Sequence, residues 1–387
     1  MKIAIFSESY KPHISGVTRS IEVISKGLAD LGHEIFLFVP KYPGIKENET
    51  NIFRIPSIPT KYPGFRIAVP YPGMIPDIKF DIVHSHSPFQ LGHYSMNYAK
   101  RKNIPYVYTF HTLFTEYLHY IPLPKAISNE LLGSSLKKFC NKCNTVIVPN
   151  TKIKEYLGTL KLSAPIAVVP SGVEFDKTKA ASCFGIRKQL RIPDIAKVLI
   201  YVGRLTVEKN IEFLFDSFRE TLLKKPDTFL VLVAGGPEEE NFKRMVIEKN
   251  IESKVVFAGT IPYPQVLNYY KCADLFVFSS KTETQGLVIA EAKACGLPVV
   301  AVAAQGVVES VNNGVDGFLV KEDPKEFSSK VLEILNDASL WKKMSEQAVK
   351  NSYKEFSSDL VAKKMETVYN SLKIIKKIKE RFSEKTS

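Results

Sequence analysis

At 387 residues, 45% apolar and 24% charged, the chain is long enough for two soluble globular domains, and it holds no run near the roughly 18 to 20 consecutive apolar residues of a membrane span. Its net charge of +13 is uneven: residues 1–195 carry 25 Lys and Arg against 14 Asp and Glu, whereas residues 196–387 carry 28 against 26. A basic half fits nucleic acid, an anionic membrane surface or an acidic substrate; without a helix-turn-helix, zinc-finger or RNP motif, the membrane face is favoured over nucleic acid.

Residues 2–6 read as a buried first strand, too short before Glu8 for the apolar region of a signal peptide, so a cytoplasmic location is expected. A loop of turn formers over 7–17 leads into an amphipathic helix from about 17 to 31, stopped at Gly32. Residues 34–39 form the second strand. From 40 to 75 Pro and Gly recur, with Tyr-Pro-Gly triplets at Tyr42, Tyr62 and Tyr71 that predict exposed turns. Strands over 81–88 and 106–112 end in polar turns bearing His84, His86 and His111, and polar side chains at the carboxyl ends of parallel strands line the crevice of an open α/β sheet. No carboxylate or Cys at ligand spacing joins these histidines to make a metal set. Cys140 and Cys143 are spaced C-x-x-C, but one pair inside a Lys-rich helical stretch is weak evidence for zinc or redox chemistry, and thiols are expected for the five cysteines. Residues 125–144 predict a helix with Leu131, Leu132, Leu136 and Phe139 among Lys137, Lys138 and Lys142. It is either a basic face for anionic headgroups or a helix packed on the sheet with solvated lysines. Strands at 145–149 and 166–170 close a first domain set at 1–175, and the basic, unpatterned residues 176–195 are expected to be a linker.

The second domain, 196–358, opens with a strand over 197–202 followed by Gly203, Arg204 and Lys209. A guanidinium fork and an ammonium five residues apart, just past a strand, suit two bridged phosphates. Further strands are predicted at 228–233 and 255–257, with a loop over 259–264. The most informative stretch runs from 274 to 301: strand, the turn Glu283-Thr284-Gln285-Gly286, a helix through Glu291, a stop at Gly296 and another strand, one βαβ unit. The first turn of such a helix offers N–H groups to an anion, while two carboxylates bracketing the glycine suit sugar hydroxyls. Any one of these charged residues is as readily a plain surface residue, but the four together at strand ends are not. From 327 onward the pattern is helical, and 360–382 is long, amphipathic and Lys-rich.

Gly203-Arg204, Glu208-Lys209-Asn210 and two glutamates with seven residues between them together resemble the donor-site signature of the retaining family 4 glycosyltransferases, over nearly the whole chain. The resemblance implies the α/β GT-B fold: two Rossmann-like domains facing a central cleft, with a C-terminal basic helix, 359–387, crossing back to the N-terminal domain. It also implies that Arg204 and Lys209 hold the donor diphosphate, Glu291 the nucleotide ribose and Glu283 the transferred sugar, beside Gly286 and Leu287 at the start of the helix. Ile261 would meet uracil, Gly16 would approach the pyrophosphate, and His111 would accept hydrogen bonds from the sugar. Many members carry Gly-Phe-Gly after the first glutamate; the variant Thr284-Gln285-Gly286, with the run from His111 to Pro122, resembles the branch that glycosylates diacylglycerol. Glu116, Tyr117, His119 and Tyr120 are then candidates for the acceptor region, in competition with a packed helix face.

The expectation is a hexosyltransferase that moves glucose from UDP-glucose to the 3-hydroxyl of 1,2-diacylglycerol with retention, bound peripherally to the inner face of the cell membrane. No metal and no cofactor are expected, a divalent cation being at most stimulatory. Galactose as the sugar, or a soluble or glycan acceptor, keeps every donor residue and stays an alternative. A nucleic-acid-binding protein explains the charge but not the motifs.

Overall fold

The computed structural model describes residues 1–45, 49–60, 65–111 and 125–386. Its chain divides into two compact units, residues 1–172 with 358–387 and residues 173–357.

The first unit is built on β1 (Lys2–Phe6), β2 (Glu34–Pro40) and β3 (Ile52–Ile55), with a separate antiparallel hairpin, β4 (Ser57–Pro59) and β5 (Arg66–Ala68). After these come β6 (Ile82–Ser85), β7 (Tyr106–Thr109), β8 (Thr145–Val148) and β9 (Ile166–Val168), and the seven-stranded parallel sheet runs β3-β2-β1-β6-β7-β8-β9. Alternation along β1 gives it two buried faces: Ala4 and Phe6 join a core with Phe38 and Tyr108, while Ile3 and Ile5 join another with Val107 and Ile147. The helix Gly16–Asp30 and the C-terminal helix Ser358–Thr386 close that second face, the latter through Val361, Ala362, Met365 and Tyr369. A Cβ on Gly27 would stand 2.8 Å from the Ala362 Cβ, so a larger residue there would force the two helices apart. Ser15 starts the first helix by accepting from the Thr18 N–H at 3.1 Å.

The stretch over 40–75, read from sequence as turns, supplies β3 and the hairpin, because strands of three or four residues between prolines show too little alternation to be recognised. The basic helix Lys125–Cys140 buries Phe139 and Cys140, and the Phe139 ring meets Tyr108 and His93 edge-on. Core packing therefore occupies the apolar side of the helix's C-terminal end, where Leu136 also packs on this core. The same burial pushes the Cys140 thiol up to about 12.

The second unit holds β10 (Lys197–Arg204), β11 (Thr228–Gly235), β12 (Val255–Phe257), β13 (Leu275–Phe278), β14 (Val299–Val302) and β15 (Gly317–Val320) in a parallel sheet ordered β12-β11-β10-β13-β14-β15. β15 escaped the sequence reading because it opens on Gly317. Only glycine fits there, since a Cβ would lie 2.2 Å from the Val299 carbonyl oxygen. Residues 176–195, read as an unpatterned linker, lie in this unit and include most of the helix Phe175–Ala180 and all of Ile186–Gln189. Arg187 donates to the Cys272 carbonyl at 3.0 Å and to that of Ala196 at 2.9 Å. Cys183 and Cys272, with Cα atoms 4.8 Å apart, form a disulfide, which corrects the expectation of thiols for these two; Cys140, Cys143 and Cys295 are free and buried. Among the described residues no helix is long and apolar enough to cross a membrane.

Candidate active site

Strand order in the second unit reverses between β10 and β13, so the loops that follow these strands stand at the topological switch point, where open α/β sheets receive ligands. Arg204 is the last residue of β10, and the loop that follows carries, in the 3-10 turn Val207–Lys209, the nearly buried Lys209. The loop after β13 carries Glu283 and ends at Gly286, whose φ of +72° lies in the left-handed region before the helix Leu287–Ala294. The two loops meet: the Lys209 ammonium donates to the Glu283 carboxylate, and Ser279 Oγ donates to the Lys209 carbonyl at 2.9 Å. The turn is fastened from behind by Gly306 N–H on the Glu283 carbonyl at 3.1 Å and by Ser310 Oγ on the Gln285 carbonyl at 2.5 Å. Lys293 of the same helix is wholly buried against Asp316 at 2.8 Å and donates to the Ser310 carbonyl at 2.9 Å, locking helix and turn together.

Partial burial lowers the Arg204 guanidinium from its usual value, with the Glu208 carboxylate opposing the shift. Glu291 is buried on the helix and accepts a long hydrogen bond, 3.5 Å, from Tyr270. Ile261 follows β12, half-buried against the core of this unit, and Leu287 packs beside Phe175, Ala290, Ala294 and Phe356. Thr206 Oγ1, both Glu208 carboxylate oxygens, Ser280 Oγ and Thr282 Oγ1 are buried without a hydrogen-bond partner among the described residues. All lie in the two loops that present Lys209 and Glu283. Buried polar atoms of this kind are costly unless something polar meets them, and the cluster marks the loops as a place for a polar ligand. Sequence reasoning passed over Thr206, Ser280 and Thr282, which look like ordinary turn residues.

In the first unit, His111 follows β7 and its Nε2 lies 2.7 Å from His86 Nδ1. His84 is spent on structure, bonding Tyr369 OH at 2.6 Å and Thr109 Oγ1 at 2.7 Å. Burial holds all three imidazoles neutral: His84 falls to about 3, His111 to about 4, and His86 lies well below its usual value. His86 and His111 line a pocket with Ser7, Glu8, Val17 and Phe65. Glu8, missed from sequence although an acid directly after an apolar strand was the available signal, is almost wholly buried. It accepts from the Leu91 N–H at 2.6 Å and from Ser87 Oγ, capping the helix Gln90–Arg101 from a distance, and burial raises it to about 7. Gly16 begins its helix without a left-handed φ, and a Cβ there would meet nothing within 4 Å; neither the turn nor the packing of this unit requires glycine. Glu116, Tyr117, His119 and Tyr120 lie outside the described residues.

The model of Glycosyltransferase Family 4 matches residues 14–177, and that of Glycosyl transferases group 1 matches residues 184–354. The alpha-monoglucosyldiacylglycerol synthase of Acholeplasma laidlawii is 31% identical, over 96% of this chain and 97% of its own. The enzyme of that name from Streptococcus pneumoniae is 30% identical over 78% and 71%. Among solved structures, sucrose-phosphate synthase from Thermosynechococcus elongatus superposes with a TM-score of 0.80 at 22% identity, over 96% of this chain and 98% of its own. Anabaena HepE in complex with UDP-glucose superposes with a TM-score of 0.76 at 18% identity, over 96% and 100%. The two parallel-sheet units are thus those of a GT-B protein, and the chain belongs to the family 4 glycosyltransferases.

Proposed function

We propose that this glycosyltransferase moves glucose from UDP-glucose to the 3-hydroxyl of 1,2-diacylglycerol at a membrane surface, retaining the anomeric configuration and forming alpha-monoglucosyldiacylglycerol. The observation that carries the donor half is the meeting of Lys209 and Glu283 at the switch point, just before the helix Leu287–Ala294. In this reading Arg204, Lys209 and the helix terminus take up the charge of the departing diphosphate, Glu291 binds the ribose, Ile261 meets the base, and Glu283 and the neutral His111 hold sugar hydroxyls. As the bond from the anomeric carbon to the diphosphate oxygen breaks, the acceptor oxygen bonds that carbon and its proton passes to the departing diphosphate. Cationic side chains supply the charge, so no metal ion has a part in the step. The acceptor half is supported by the named activity of the two synthases, at 30% and 31% identity. HepE, solved with UDP-glucose, supports the donor.

Mass and linkage analysis of the lipids formed from diacylglycerol with UDP-glucose and UDP-galactose side by side tests the whole reading. The expected product is one hexose in α-linkage at the 3-hydroxyl, formed from UDP-glucose. A galactolipid would replace the donor sugar, and sugar recovered only on a water-soluble acceptor would overturn the lipid.

A further inference from the structure

The C-terminal helix Ser358–Thr386 changes chemistry part of the way along. Up to Leu372 it has one buried face, Val361, Ala362, Met365, Tyr369 and Leu372, sealed into the first unit. Beyond that point the positions that continue this face are polar. Lys373 bonds Asp81 at 2.8 Å, Lys376 stands 3.6 Å from Glu380, and Glu380 accepts from Asn103 Nδ2 at 3.5 Å. Apolar residues return on another side: Ile374, Ile375, Ile378 and Phe382 are 58%, 49%, 47% and 67% exposed. At about 100° per residue these four form one stripe, roughly 130° around the axis from the buried face. The exposed Lys377 and Arg381 border it.

We propose that this stripe lies on an anionic lipid surface, with Ile374, Ile375, Ile378 and Phe382 in the acyl boundary and Lys377 and Arg381 among the headgroups. Charge complementarity selects this occupant. The sequence over 373–385 holds six Lys or Arg against two Glu. The whole first unit holds 28 against 15, while the second holds 25 against 25, so the entire net charge of the protein stands on the unit that carries the stripe. A second copy of the stripe would bring like-charged borders together. A nucleic acid would satisfy the cations and leave isoleucines and a phenylalanine against phosphate. Only a surface that is anionic outside and apolar beneath takes both. The inference deepens the membrane-surface reading above and rests on it for the lipid acceptor, while its own observations are those of this helix.

Sedimentation of the full-length protein with phosphatidylcholine vesicles, with and without phosphatidylglycerol, tests it on two variants. Ile374→Ser/Ile378→Ser/Phe382→Ser removes the apolar stripe, and Lys377→Glu/Arg381→Glu reverses its border without touching an apolar residue. Each is expected to lower partition onto phosphatidylglycerol vesicles by about tenfold or more, with transfer to detergent-dispersed diacylglycerol unchanged. Partition equal to wild type in both variants overturns the inference. So does light scattering that shows a wild-type dimer turned monomeric by the triple variant, since the stripe would then belong to a second copy. Wild-type protein that binds vesicles yet glycosylates no diacylglycerol, in vesicles or detergent, would sink the lipid acceptor and leave the docking face standing.

Discussion

The two units divide their electrostatics in opposite ways. The first carries the whole net charge, yet its pocket is lined by imidazoles that burial holds neutral and by a carboxyl raised to about 7. The second is neutral in sum, yet its candidate site is ionic: an ammonium on a carboxylate, a guanidinium beside Glu208, and a buried Lys293–Asp316 pair behind them. Net charge therefore says little about the charge of a site. The sum acts at a distance, on surfaces, and is screened over about 8 to 10 Å in salt. The site acts at contact, where desolvation decides which groups stay ionised.

Three experiments test this contrast. The largest effect is expected from Lys293→Met, which strips the wholly buried Asp316 of its ion-pair partner and leaves its carboxyl only the amides of Asn312 and Asn351. The second unit should lose about 3 to 5 kcal/mol of stability, read by denaturant unfolding. If the loss is negligible, the ionic interior is not what holds the helix Leu287–Ala294 to its turn. Next is Lys209→Ala, expected to lower the transfer rate from UDP-glucose by about two to three orders of magnitude while leaving the melting temperature within a few degrees, as for the loss of one charge-stabilising group. A change confined to stability would make the Lys209–Glu283 pair a structural clasp.

The smallest effect concerns the first unit. Because burial raises Glu8 from 4.5 to about 7, the native state binds its proton more tightly than the unfolded chain does. That contribution is fully present below pH 4.5 and is lost as pH rises through about 7. The depressed histidines have the opposite sign, and their contribution is lost as pH falls from 6.5 towards 4. Glu8→Gln keeps a hydrogen-bonding side chain and removes the ionisation. Its melting temperature should match wild type near pH 4.5 and exceed it by about 3 to 8 °C at pH 8. Parallel pH profiles for the two proteins would show that Glu8 is not held protonated by its surroundings.

Much of the second unit was legible from sequence because its signals are local. Strand, glycine turn and helix follow one another within a few residues; Arg204, Lys209 and Glu283 fall where strands end, and Glu291 lies on the helix after the glycine turn. The pairing of Lys209 with Glu283 was not legible, since it joins residues 74 apart through strand order. Nor was the purpose of Gly203. A Cβ there would lie 2.5 Å from the Tyr201 hydroxyl, so the glycine makes room for a neighbour's phenol. In the first unit the histidines could be placed at strand ends, but not sorted. His84 proved structural because its partner, Tyr369, is 285 residues away. Glu8 escaped for the same reason, its partners Ser87 and Leu91 being 79 and 83 residues away.

The C-terminal helix packs on the first unit although the entire second unit intervenes in the chain. During synthesis from the amino end, the helix Gly16–Asp30 can cover only part of the face of Ile3, Ile5 and Val107, and the rest must wait open until Val361, Ala362, Met365 and Tyr369 have left the ribosome. The unit whose sheet is made first is thus the later of the two to be finished, and residues 173–357 can complete their own core while that face is still partly open.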